Sequence, residues 1–232
     1  MSLVLVPGFM LDADLWRDVS AKLQVFGPLS HADLSRDDTM TAMARRTLAA
    51  APASFALIGF SMGGYVAREM TRIAPDRVSA LVLIATSARD ATPVQTQRKA
   101  AAATRAAAAG FRGLSRSAVA LSLHPDHASD EALTGRIHTM GARLGREVFL
   151  RQCMLDRQGD LDWLHEIRCP TLIVAGKQDK LRSLAEAAEL HQGIAGSDLT
   201  VIDGTGHMIP MEAPARLVEA IVPWLADRLA SP

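Results

Sequence analysis

The chain has 232 residues, which suits one domain or one domain with a substantial insertion, and 49% of them are hydrophobic, enough for a sizeable core and against intrinsic disorder. Lys plus Arg and Asp plus Glu number 25 each, so no charge excess points to nucleic acid or an anionic membrane as the main partner. Two cysteines, Cys153 and Cys169, make neither a disulfide framework nor a metal-ligand cluster, and both read as small buried apolar residues.

In chain order, Leu3–Val6 is a short apolar run stopped by Pro7-Gly8, which predicts a buried strand ending in a sharp turn. Leu15–Val25 reads as a helix with Leu15, Trp16, Val19 and Leu23 on its apolar face. A second strand is expected at Leu29–Leu34, a helix at Thr41–Ala51 and a third strand at Phe55–Gly59. A helix from Gly63 to Ala74 is ended by Pro75. Val78–Ala85 is apolar on both faces, the pattern of a central parallel strand. From Arg89 to about Glu166 the pattern turns helical and rich in alanine and arginine. Strands return at Thr171–Ala175 and Leu199–Ile202, with a helix from about Leu181 to Gln192 between them and a final helix over Ala215–Leu229. Strands alternating with helices predict an α/β domain with a parallel sheet, interrupted by a helical insertion placed over the strand ends.

Gly59-Phe60-Ser61-Met62-Gly63 fits G-x-S-x-G. The pattern alone is weak, but here it falls between a strand and a helix, where a nucleophile elbow requires it. The plain alternative is a strand-to-helix turn with a serine cap. A serine hydroxyl needs an adjacent base. Of the seven histidines, His207 follows the last strand in Gly204-Thr205-Gly206-His207, on the same strand-end face as Ser61. His31 precedes the nucleophile, His191 lies late in a helix, and His138 and His165 read as residues of the insertion. His124 and His127 form an H-x-x-H pair without a third ligand nearby, so no metal site is expected. Asp179, just after the strand Thr171–Ala175, is placed to orient the imidazole; its rivals are Asp203, Asp156, Asp160 and Asp162, with Asp203, close to His207 in sequence, the second choice. The order Ser61, Asp179, His207 is the one expected for an elbow-type hydrolase. Two N–H donors are needed for the oxyanion. They are Met62, immediately after the serine, and Phe9 in the turn after the first strand, with Met10 as the fallback.

These residues together resemble the α/β-hydrolase superfamily, in particular its small lidded carboxylesterases and lactonases, pimeloyl-ester esterases and enol-lactonases among them. The resemblance runs from Leu3 to about Leu229. It rests on Leu3–Phe9 followed by Trp16, on Leu57–Gly64, on Ile167–Thr171 leading to Gly176 and Asp179, and on Gly206-His207 followed by Glu212-Ala213-Pro214. It implies an α/β-hydrolase fold, with a mostly parallel sheet flanked by helices. Residues 1–88 and 167–232 would form the core and residues 89–166 a helical lid. It implies Ser61, Asp179 and His207 as a catalytic triad, Phe9 and Met62 as oxyanion donors, and no cofactor. Two departures stand out. Pro7-Gly8 replaces the family's usual His-Gly, and the family's two leading edge strands are expected to be missing.

The implied activity is hydrolysis of a small carboxylic ester or lactone through an acyl-enzyme. A C–C bond hydrolase, a cofactor-free perhydrolase, or a ligand-binding module with slow turnover would use the same fold. Met10, Leu123, Met140, Phe149 and Met208 are expected to touch substrate, and Leu121, Met154 and Trp163 are further lid residues that would either line the site or pack between helices. Arg98, Lys99, Arg105, Arg112 and Arg116 have no acidic residue among them and form either a solvated face or a weak attractor of anionic substrates. No basic segment precedes a long apolar run, and no apolar run reaches the ~20 residues of a membrane span. A cytoplasmic monomer or homodimer, engaging neither nucleic acid nor membrane, is therefore expected.

Overall fold

The computed structural model describes residues 1–230; Ser231 and Pro232, the end of the expected core segment, lie outside the described residues. Six strands form one sheet: β1 (Ser2–Val6), β2 (Leu29–His31), β3 (Phe55–Phe60), β4 (Val78–Ile84), β5 (Thr171–Gly176) and β6 (Asp198–Ile202). Their order is β2-β1-β3-β4-β5-β6, and every pairing is parallel. The chain is an α/β-hydrolase fold in which the central strands are apolar throughout because helices cover both faces.

The period of two along each strand divides the core. Leu3 and Leu5 of β1, Ile58 and Phe60 of β3, and Val82 and Ile84 of β4 point to one face. There they meet Val19 and Leu23 of α1 (Arg17–Leu23) and Leu217, Ile221 and Leu225 of α9 (Pro214–Ala230). Val4, Val6, Leu57, Leu81 and Leu83 point to the other. They pack on α2 (Met40–Ala50), α3 (Met62–Ile73) and α7 (Leu184–Gly193). Each fully buried aliphatic side chain contributes roughly 1.5–3 kcal/mol relative to exposure, so the alternation fixes strand register strongly.

Three element boundaries differ from the sequence expectation. The segment Leu15–Val25 is not one helix: short 3-10 turns, Ala13–Trp16 and Gln24–Phe26, flank α1. The second strand stops at His31 because Asp33 Oδ1 accepts the Ser35 N–H at 2.9 Å and turns the chain out of the sheet. The helix expected from Leu181 begins at Leu184. Asp179 Oδ1 takes the N–H groups of Leu181 and Arg182, and Ser183 and Glu186 form a capping box.

Between β4 and β5 lie α4 (Pro93–Ala109), α5 (Arg116–Leu121) and α6 (Glu131–Cys153), with no strand among the described residues. α6 is broken at Gly145, whose φ of 82° is outside helical space. Polar contacts tie the segment between β4 and β5 to the elements around the sheet. Arg136 reaches Asp18 at 2.6 Å, and Arg143 forks onto Asp12 at 2.8 and 2.9 Å. The fully buried Arg68 of α3 makes a bidentate pair with Asp160 at 2.7 and 2.8 Å. Breaking such a pair by removing one partner typically costs about 3–5 kcal/mol. No helix among the described residues is long and apolar enough to cross a membrane.

Candidate active site

The carboxyl ends of β1 and β3 lie side by side, with Val6 opposite Gly59. The turn Pro7–Met10 and Ser61 therefore emerge next to each other, and α1 and α3, which follow them, lie on opposite faces of the sheet. Such a switch point is where open α/β sheets bind ligands.

Ser61 sits between β3 and α3 with φ 52° and ψ −115°, a conformation that costs a non-glycine residue about 1–3 kcal/mol. The neighbouring chain enforces it. Ser61 N–H donates to Ile84 O at 2.9 Å, and the Thr86 hydroxyl donates to Ser61 O at 2.7 Å. The turn can be this tight only with glycines beside it. A Cβ at Gly59 would lie 2.7 Å from Ala67 Cβ, and one at Gly63 would collide with Val6 O and Pro7 O.

The loop between β6 and α8 (Ile209–Glu212) delivers His207. Its Nε2 lies 2.9 Å from Ser61 Oγ and its Nδ1 2.7 Å from Asp179 Oδ2. Asp179 arrives from the turn after β5 and is held by the N–H groups of Leu181 and Arg182 at 2.7 and 2.9 Å. The Phe60 ring packs beside the imidazole, 5.1 Å between centroids. Ser61 is 8% exposed and His207 5%, so this chain of hydrogen bonds is shielded from water. The geometry allows a proton to pass from hydroxyl to imidazole while the carboxylate stabilises the imidazolium.

Asp203, the alternative acid, faces elsewhere. It accepts from Gln178 at 2.7 Å, Lys177 at 2.8 Å and Gly204 N–H at 2.9 Å, and these donors hold its carboxyl well below the usual range. Burial pushes both cysteine thiols up to about 11, so neither is a thiolate at neutral pH. His127 Nδ1 lies 3.0 Å from Glu212 Oε2, which gives the H-x-x-H segment a structural partner.

Met62 is the first residue of α3, so its N–H has no acceptor in the helix. Phe9 N–H makes no hydrogen bond to another described residue. The fallback donor Met10 is excluded: its N–H is engaged by Gln152 Oε1 at 2.8 Å. The five residues expected to touch substrate fall into two groups. Met10 and Phe149 meet in one buried cluster with Cys153, while Leu123, Met140 and Met208 join the core on the α1 and α9 face. Leu121 and Met154 are exposed.

Two polar residues position the site: Gln152, which carries no motif, and Glu212, which the sequence offers within Glu212-Ala213-Pro214 but without a role. Gln152 of α6 is buried and also donates to Leu34 O at 3.1 Å, bridging α6 to the loops after β1 and β2. Its signal in the sequence is a polar residue on the helix face that carries Phe149 and Cys153. Glu212 accepts from Gly206 N–H at 3.1 Å, Met208 N–H at 3.0 Å and His124 N–H at 2.6 Å, locking the loop that bears His207 to the segment after α5. His207 N–H completes that link by donating to Ser122 O at 2.9 Å.

Comparison with known proteins agrees with this architecture. The model of the alpha/beta hydrolase fold family matches residues 36–214. A pimeloyl-[acyl-carrier protein] methyl ester esterase from Aromatoleum aromaticum is 29% identical over 95% of this chain and 97% of its own length. A thermophilic esterase from Thermogutta terrifontis, solved with malate bound, superposes with a TM-score of 0.84 at 26% identity, covering 98% of this chain and 90% of that one. An enol-lactonase from Burkholderia xenovorans LB400 shares the fold at TM-score 0.84 and 20% identity over 97% of this chain and 91% of that one. The chain belongs to the α/β-hydrolase fold family, and it is a hydrolase enzyme of that family.

Proposed function

We propose that the protein hydrolyses a small carboxylic ester or lactone through an acyl-enzyme, with Ser61 as nucleophile, His207 as base and Asp179 as its orienter. The observation that carries this reading is the unbroken chain from Asp179 Oδ2 through His207 to Ser61 Oγ, with links of 2.7 and 2.9 Å. Ser61 Oγ bonds to the carbonyl carbon as its proton moves to His207 Nε2, and the carbonyl π pair moves to oxygen. The N–H groups of Met62 and Phe9 receive that oxyanion. Loss of one such donor typically costs about 2.7–4 kcal/mol of transition-state stabilisation. Collapse expels the alkoxide, which takes the proton from His207. Water then repeats the cycle on the acyl-enzyme, with His207 again as base. Helices α4 to α6 act as the lid over this chemistry, and the reaction requires no cofactor.

The test is active-site labelling together with turnover. The native chain should react with a fluorophosphonate probe and hydrolyse a short p-nitrophenyl ester in steady state. Ser61→Ala should lose both. Labelling that persists at another serine overturns the assignment, and a burst without turnover assigns the chain to ligand binding instead.

A further inference from the structure

The segment between β4 and β5 is held to the rest of the chain unevenly. Two of its helices are clamped. Ser122 O, at the end of α5, accepts the His207 N–H at 2.9 Å and the Met208 N–H at 3.3 Å. His124 N–H donates to the Glu212 carboxylate at 2.6 Å, and the approach is so close that a Cβ on Gly206 would lie 2.5 Å from His124 N. Arg136, Arg143 and Gln152 fix α6 through their bonds to Asp18, Asp12 and the Met10 N–H. Neither helix can move without dragging the His207 loop or the Phe9 turn with it.

Helix α4 has no such tie. Among the described residues, no side chain of Pro93–Ala109 makes a hydrogen bond or ion pair to another element, and Gln95 and Thr104 bond only within the helix and its cap. What holds α4 is apolar and small: Ala103 and Ala106 share one buried cluster with Met10, Phe149 and Cys153. Polar anchors return only at its flanks. Ala91 N–H donates to Arg157 O at 3.1 Å, and Leu114 O accepts from His138 Nδ1 at 3.1 Å. Just before Leu114, Gly110 and Gly113 have φ of 78° and 112°, turns that residues with a Cβ resist. Between these glycines Phe111 stacks on Phe149, 4.6 Å between ring centres, and Phe149 meets Phe9 edge-on at 5.8 Å. The least-tied helix of the segment thus packs against the aromatic row that ends at Phe9. Ser61 and His207 are both buried in this arrangement, so an ester carbonyl reaches the hydroxyl only after a covering element lifts. Segments with few buried apolar contacts and no polar ties open first.

We infer that α4 and Phe111 form a gate that opens between Ala91 and Leu114 and parts Phe111 from Phe149, while α5 and α6 stay in place. This rests on the hydrolase reading above and names how that site admits its substrate: the ester enters beneath α4. The division meets two opposed demands. A cover that lifted whole would pull Ser122 O and His124 away from the His207 loop, and Gln152 away from Met10. A gate confined to α4 opens the site with those bonds intact.

The test reads opening and access separately. In hydrogen exchange on the native chain, amides within α4 should show protection factors at least about ten-fold lower than those of residues 137–143 in α6, as a locally opening segment does. Equal protection in the two helices overturns the gate. Access is read from labelling of Ser61 by a bulky biotin-tagged fluorophosphonate and by small diisopropyl fluorophosphate. Phe111→Ala removes the ring that stacks on Phe149. It should raise the ratio of the two labelling rate constants, bulky over small, by about three-fold or more, because access scales with the fraction of open molecules. A ratio that stays constant or falls makes Phe111 a wall of the site and overturns the inference. A native chain that neither reagent labels strikes the hydrolase reading itself, whereas the exchange contrast still reports on the gate.

Discussion

Gln152 Oε1 accepts the Met10 N–H at 2.8 Å, and so a side chain of α6 fixes the backbone of the turn that carries Phe9. Met10 has φ 55°, a strained value for methionine, and this bond helps to hold it. Gln152→Leu keeps the volume but leaves the Met10 N–H and the Leu34 carbonyl unsatisfied, at about 1–3 kcal/mol for each buried group. The expected outcome is a lower Tm and a kcat on p-nitrophenyl acetate reduced more than KM is raised. A variant with lowered Tm but native kcat would show that the turn holds its shape without Gln152.

Asp179 and Asp203 are separated by their partners. Asp179→Asn should lower kcat by roughly 10⁴, as the corresponding change does in a serine protease triad. Asp203→Asn should leave kcat nearly intact, because its partners are Lys177, Gln178 and Gly204. Steady-state kinetics on one ester decide between them, and the reverse ranking would reassign the acid.

Glu212 joins the two segments that meet at His207. Glu212→Ala removes one buried carboxylate from three backbone N–H groups and from His127. A loss of about 3 kcal/mol or more in unfolding free energy is expected from that number of orphaned donors. Denaturant unfolding measures it, and the same variant should lose kcat as the His207 loop slips.

Lys99 gives a pH signature of stability. Burial and neighbouring arginines lower its folded value to about 8, from 10.5 for the free side chain. The unfolded chain therefore holds more protons between these values, and Lys99 makes stability rise with pH across that window. Below it both states are charged, and the penalty is fully present. Lys99→Met should raise the Tm at neutral pH, and its advantage over the native chain should shrink as pH climbs from 8 toward 10.5. A constant difference across that range would contradict the shift.

Much of this was legible in the residues. The continuous apolar runs at β3 and β4 give buried parallel strands because helices must cover both faces, and alternation within them needs no tertiary information. Gly59, Ser61 and Gly63 are legible because a sharp strand-to-helix turn admits few residue types. Element ends were less so. β2 ends where Asp33 turns the chain, and α7 begins late because Asp179 takes the N–H groups of Leu181 and Arg182, both of them side-chain effects that periodicity does not register.

By itself the sequence determined the α/β alternation, the position of the elbow, and the order of serine, aspartate and histidine along the chain. Each of these depends on local residue type and spacing. Only the tertiary structure decided that Asp179 rather than Asp203 faces His207 and that the Met10 N–H is taken by Gln152. Those are relations between residues far apart in the chain. Which partner a buried polar group finds is set by packing, and local pattern carries no record of it.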